Sequence, residues 1–271
     1  MIQYVEQLDG QDPIHFGSPI NPSSSAYSDD VVVIACERGR HCVIFDQQPA
    51  CRVILFDWTG LGVADTANPH GLPVISKKTE CKGELMEHAY LHHNLKPGSY
   101  MGFIDDDIVL KLSSLPLLLS LARVHQLLAV QPALSEESSG SDEYPFLRRH
   151  PSRQLHRVPI VEIMAPFIRS DLLARAMPFA RGIKSGYGLD RFALPLCAHD
   201  LGSWRFAVID SVVMSHVRML SSVNKAFSHG LLAKQEELLV RFRLAASLGI
   251  PINDEIVQQA GLLEAAVSLQ K

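Results

Sequence analysis

The sequence has no CxxC pair, no excess of basic charge, no internal repeat, no low-complexity tract and no apolar run long enough to cross a bilayer. Each absence removes a class of function. Its five cysteines, Cys36, Cys42, Cys51, Cys81 and Cys197, are an odd number at irregular spacing. That excludes a zinc ribbon or thioredoxin-like motif and fits free thiols in a reducing cytoplasm, the expected location. A net charge of −4 leaves no basic footprint, so nucleic acid is not expected as a main partner. The opening MIQYVEQLDGQDPIHFG carries acidic residues and no apolar core, unlike a signal peptide. The most apolar stretch, Leu115 to Val130, is interrupted by Arg123 and His125 and is too short for a bilayer, so it reads as a buried helix rather than a transmembrane segment.

What is present is ordinary globular material. Apolar residues make up 47% and charged residues 20% of 271 positions, enough for one α/β domain over 1–220 with a helical extension over 221–271 packed on it. Val31 to Cys36 and Cys51 to Phe56 are short, β-branched apolar runs of the kind buried on both faces of a sheet. A helix is expected from Lys82 to Leu95, a strand from Ser99 to Ile104, and a helix entered through Ser113, Ser114 and Pro116. Ala129 to Ala133, Val158 to Phe167 and Arg205 to Met214 are further strand-like segments, and Ser135 to Arg157 is a long polar loop. After Ala226 the pattern is helical, broken at Gly249-Ile250-Pro251 and ending near Leu269. Strands alternating with helices imply a three-layer α/β/α sandwich around a mostly parallel sheet, whose ligands sit beyond the carboxyl ends of the strands.

Acidic residues fall at three such ends: Glu37, Asp57 and the triplet Asp105-Asp106-Asp107. Adjacent carboxylates repel unless a cation offsets them. Alternation along a strand would aim Asp105 and Asp107 at one hard divalent ion, Mn²⁺ or Mg²⁺, which could neutralise a diphosphate. A solvated acidic turn gives the same letters. His216, beyond the strand Arg205 to Asp210, could complete a carboxylate metal site or be a satisfied core histidine, and Asp210 could be a turn residue. Glu162 lies in the apolar run Val158 to Pro166 and must be paired or solvated from a cleft. Asp190 follows Gly186-Tyr187-Gly188 at a helix start, where it is either a first-turn acid or a general base.

The series of strand plus Asp-Asp-Asp, Gln131-Pro132-Ala133-Leu134, Val161-Glu162-Ile163-Met164-Ala165-Pro166, Gly188-Leu189-Asp190, Val208-Ile209-Asp210-Ser211 and His216 resembles domain-of-unknown-function family 707 over residues 30 to 220. That family is regarded as GT-A-like glycosyltransferases. The resemblance implies a GT-A-like, Rossmann-related fold, with Asp105 and Asp107 as a metal-binding DxD and His216 as the distal metal or diphosphate ligand. It also makes Glu162 and Asp190 acceptor-side residues, with Asp190 the base if configuration inverts. Glu37, Arg38 and Asp57 are then nucleotide contacts, and Asp106 faces the ribose. The implied reaction takes a sugar from a nucleoside-diphosphate sugar, expected to be a UDP-sugar, to a hydroxyl of a saccharide or lipid-linked acceptor. The chain departs from the family at Val217-Arg218-Met219-Leu220, where a glycine-bearing segment is usual, and in its C-terminal helices.

Two rival readings stand beside this one. Val53 to Gly60 resembles the first motif of haloacid-dehalogenase-type phosphatases, with Asp57 as nucleophile, although Trp58-Thr59 replaces the second aspartate of that motif. A non-catalytic binding protein with a degenerate site, forming a homodimer through the apolar face of Leu231, Leu232, Leu238, Leu239 and Phe242, is the other.

Overall fold

A computed structural model describes residues 29–139, 144–218 and 226–249. The two fully apolar runs at the start form β1 (Val31–Cys36) and β2 (Arg52–Asp57), followed by the short β3 (Val74–Ser76). β1 pairs in parallel with β2 on one side and with β4 (Tyr100–Ile104) on the other. All six residues of β1 and all five of β4 are buried, as expected of strands covered on both faces. β5 (Ile108–Val109), β6 (Ala129–Leu134), β7 (His156–Arg157), β8 (Phe167–Arg169) and β9 (Phe206–His216) complete the sheet. Among the described residues its order is β3-β2-β1-β4-β8-β6-β9-β5, with β7 also against β9. The longer pairings are parallel, while the short strands β5, β7 and β8 enter antiparallel.

The antiparallel β8 is the main departure from the sequence reading. Val158 to Pro166 is not a strand; Pro159 and Pro166 cannot donate to a ladder, and only Phe167–Arg169 pairs with β4 and β6. The preceding segment still accepts from β4 through its carbonyls, with Phe103 N–H to Pro166 O (2.9 Å) and Asp105 N–H to Met164 O (3.0 Å). Gly102 makes this close approach possible, since a Cβ there would lie 2.5 Å from the Phe167 ring.

The helices are α1 (Lys82–Leu91), α2 (Leu115–Val124), α3 (Ser170–Ala176), α4 (Leu194–Asp200) and α5 (Ala233–Ser247). α1 stops short of Leu95, with the Nδ1–H groups of His92 and His93 donating to the carbonyls of His88 and Ala89 in the last turn. α2 begins with Pro116 in its first turn, but Ser114 turns back to Lys111 O instead of capping. Leu239, Val240 and Leu244 of α5 are buried in the same apolar cluster as the sheet. The helix expected to reach Leu269 lies outside the described residues. No helix among the described residues is long and apolar enough to cross a membrane.

Candidate functional site

The triplet sits where β4 has just ended. Ile104 is the last strand residue, and Ile108 N–H closes a turn onto Asp105 O at 3.2 Å. Strand alternation therefore stops before it can govern the three aspartates, and they point to three different partners. Asp105 forms an ion pair with Lys82, a buried lysine in the first turn of α1 that also reaches Met164 O (3.5 Å). Burial pushes the Asp105 carboxyl up, and Lys82 opposes that shift. Asp106 accepts from Trp58 Nε1 (3.3 Å) and from Arg218 Nη1 (3.4 Å). Asp107 Oδ2 lies 3.4 Å from His216 Nε2.

The Asp107–His216 pair has a particular electronic arrangement. His216 Nδ1 faces the Ser139 carbonyl at 3.2 Å, and an imidazole nitrogen facing a carbonyl must donate. In the neutral ring, Nε2 then offers a lone pair toward the carboxylate. The Asp107 Oδ1 atom is buried with no hydrogen-bond partner, an arrangement that costs about 1–3 kcal/mol unless something fills it. A proton on Nε2 resolves the first problem, and a cation resolves both. Protonation is favoured in the cation-free protein, because the Asp107 hydrogen bond raises the His216 pKa above 6.5. A hard divalent ion satisfies the orphaned oxygen as well, so these two residues fit one, with the Ser139 carbonyl orienting the imidazole. Among the described residues no three carboxylate, imidazole or thiol side chains gather as a complete cage. Asp105, committed to Lys82, is not brought into a three-ligand group with Asp107 and His216.

The remaining residues divide between this site and its supports. Asp57, fully buried, accepts Arg38 N–H (3.0 Å), Thr59 N–H (3.2 Å) and Thr59 Oγ1–H (2.7 Å) on Oδ1, and Gly62 N–H and Ser76 Oγ–H (both 2.7 Å) on Oδ2. Burial alone would push its pKa up, but these donors outweigh it and hold the carboxyl at about 2. Asp57 thus braces the two loops that follow β1 and β2, with Arg38 held at a left-handed φ of 54°. Glu37 pairs at the surface with Arg40 (3.0 Å). Asp210 is not a turn residue but lies within β9, accepting His150 N–H (2.6 Å) and contacting His156 Nδ1 (2.8 Å), so it pins the 144–157 loop to the sheet.

Glu162 and Asp190 come together from distant segments. Glu162 N–H donates to buried Gln131 Oε1 (2.7 Å), and its Oε2 accepts Met164 N–H (2.8 Å). Burial first, then the nearby charge of Asp190, pushes its pKa up to about 8. Asp190 is buried on a single π-helical turn, Leu189–Ala193, a feature common at functional sites. Gly188 precedes it at φ 89°, and a Cβ there would meet Val240 of α5 at 2.9 Å. A carboxyl with a folded pKa above its ordinary 4.5 takes up a proton on folding, so native stability falls as pH rises between 4.5 and about 8. In metal-free protein, Glu162→Gln should therefore gain thermal stability over the native chain progressively across that window and gain nothing further above it. A melting difference that does not vary with pH would refute the raised pKa.

Lys82 and Trp58 were not singled out by sequence. A lysine in the first turn of a helix carries no local signal of a partner 23 positions away, and only the helix-to-sheet docking reveals it.

No family model matches the chain, and no curated protein matches it. Solved structures do. Glucosyl-3-phosphoglycerate synthase from Mycobacterium tuberculosis, in complex with Mn²⁺, UDP-glucose and phosphoglyceric acid, superposes with a TM-score of 0.51 at 16% identity, over 85% of this chain and 83% of that one. Its complex with Mn²⁺, UDP and glucosyl-3-phosphoglycerate gives 0.51 at 15%, over 89% and 88%. S. aureus TarS, residues 1–349, gives 0.51 at 11%, over 85% and 68%. The fold is that of the GT-A glycosyltransferases. A GT-A sheet does not favour the phosphatase alternative, and neither does Asp57: both of its oxygens are saturated by donors, leaving no lone pair aimed at a phosphorus atom.

Proposed function

We propose that this chain transfers a sugar from a nucleoside-diphosphate sugar, a UDP-sugar, to a hydroxyl of a saccharide or lipid-linked acceptor, using Mn²⁺ or Mg²⁺ held by Asp107 and His216. The observation that carries the proposal is the orphaned, buried Asp107 Oδ1 beside the His216 lone pair, placed just beyond β4 in a GT-A fold. The presence of Mn²⁺ with UDP or UDP-glucose in the M. tuberculosis enzyme supports the choice of donor and ion. Membership of family 707 rests on the motif order alone.

When bound, the ion would neutralise negative charge developing on the departing diphosphate. The chain's own groups do the rest. Lys82 holds Asp105 and offsets one of three adjacent negative charges. Trp58 and Arg218 hold Asp106, which would meet the ribose, and Asp57 shapes the Glu37-Arg38 loop that would meet the nucleoside. Glu162, protonated at neutral pH, can donate a hydrogen bond, which leaves Asp190 to receive the acceptor hydroxyl proton if configuration inverts. The reduced state of the described cysteines suits a cytoplasmic setting.

A thermal-shift series with Mn²⁺ and each of UDP, GDP and CMP tests the proposal. At a hundredfold excess over Kd, UDP with Mn²⁺ should add about 2.7 kcal/mol, a rise of roughly 5–10 °C for a chain of this size. UDP without metal should do much less. No shift with any nucleotide would refute glycosyl transfer and favour the non-catalytic binding protein.

A further inference from the structure

The segment Arg148 to Arg157 holds four arginines and two histidines and no carboxylate, in a chain whose overall charge is negative. The GT-A site does not use its end. Arg157 pairs across β7 and β9 with Ala207, two residues beyond Arg205. Arg205 Nη1 in turn donates to Gln126 Oε1 at 2.7 Å, next to His125 at the end of α2. Three elements thus gather Arg157, Arg205 and His125 on one surface.

No counter-charge accompanies them. Among the described residues, none of the three has a carboxylate at ion-pair distance. Burial and the Arg205 guanidinium hold the Arg157 pKa below its ordinary value, and burial and Arg157 do the same for His125. Two guanidinium groups that only repel one another, beside an imidazole they help to keep uncharged, cost stability until an anion arrives. The flanking residues are apolar and outward-facing. Trp204 is 42% exposed and Val124 56% exposed. The Trp204 Nε1–H is satisfied by Pro159 O at 3.0 Å, so the indole has its polar edge tied down two residues along the chain from Arg157. An indole with exposed surface next to guanidinium groups is the combination found at membrane–water interfaces.

We infer that Arg157, Arg205, His125, Trp204 and Val124 form a docking surface for an anionic lipid bilayer. The arginines meet lipid phosphates while Trp204 and Val124 enter the headgroup layer. The surface lies at the start of β9 and His216 at its far end. Docking there leaves the candidate site clear of the membrane. The inference does not depend on glycosyl transfer: vesicle binding and UDP binding are read separately, and either can fail alone.

The test is co-sedimentation of the full chain with phosphatidylcholine vesicles, with and without phosphatidylglycerol, over a salt series. Binding is expected only with phosphatidylglycerol, weakening as salt screens the charges. Arg157→Gln and Arg205→Gln should each weaken partitioning about fivefold. Trp204→Phe should remove the blue shift in tryptophan emission that vesicles produce. Arg205 also hydrogen-bonds Ser203 and Gln126, so melting temperatures are compared; Arg157, at the end of its short strand, serves where Arg205→Gln lowers stability. Equal binding to both vesicle types, or native binding by Arg157→Gln, overturns the inference. So does Arg157-dependent binding of inorganic pyrophosphate without vesicle binding, which would mark a soluble oxyanion site instead.

Discussion

Asp107→Ala is expected to lower UDP-sugar turnover by at least a hundredfold while leaving the fold intact. The size follows from the several kcal/mol of charge stabilisation that a bound divalent ion supplies, at about 1.4 kcal/mol per factor of ten. The fold survives because the mutation removes a carboxylate with an unpartnered buried oxygen rather than a structural brace. The backbone contact from Val217 N–H to Asp107 O (3.1 Å) is retained. Mn²⁺-dependent stabilisation by UDP should vanish in the same variant. In the native chain that stabilisation should weaken with falling pH, since His216 must lose its proton to serve as a ligand and its pKa is raised above 6.5. An Asp107→Ala protein that still binds Mn²⁺ with UDP as the native chain does would move the ion elsewhere in the triplet. Asp105→Ala separates the cases: it should strand the buried Lys82 charge and destabilise the fold, a loss that Asp107→Ala does not cause.

The second large effect concerns stability. Glu236, on α5, is fully buried and accepts Lys184 N–H (2.7 Å), Ser185 N–H (2.8 Å) and His229 Nε2–H (2.7 Å). The proton of His229 is fixed on Nε2 because Nδ1 accepts Leu231 N–H at 3.2 Å. One carboxylate therefore ties the C-terminal helix to the segment that leads through Gly186 and Gly188 to Asp190. Glu236→Ala strands three buried donors, each costing about 1–3 kcal/mol. A loss of about 3–5 kcal/mol is expected, with a melting temperature lower by roughly 10 °C. Activity should fall as well, because the π-helical turn bearing Asp190 loses its anchor. Glu236→Gln keeps one acceptor oxygen and should lie between the two. Should Glu236→Ala melt within about 2 °C of the native chain, α5 would be a dispensable appendage rather than part of the core.

Those two residues illustrate what could and could not be read beforehand. The triplet was visible because three adjacent carboxylates after a fully apolar strand are anomalous on local grounds alone. Glu236 was invisible, since a glutamate in a polar helical stretch looks like any solvated residue. Two of its three partners, Lys184 and Ser185, lie 52 and 51 positions away, just before Gly186. The same holds for Lys82 with Asp105 and for Asp210, whose place in a turn or in a strand is decided by the loop it pins.

The sequence by itself determined the strands β1, β2, β4 and β6, the helices α1 and α2 to within a few residues, and the acidic strand ends that face one edge of the sheet. These follow from periodicity and runs of apolar residues, which act within a few positions of the chain. Tertiary structure alone decided that β8 enters antiparallel between β4 and β6, that Asp105 is spent on Lys82, and that Asp107, facing His216, is left with one oxygen unmatched. The reason is geometric. Alternation governs side-chain direction only while the strand lasts, and β4 ends at Ile104. Beyond that point each carboxylate takes whichever partner packing delivers.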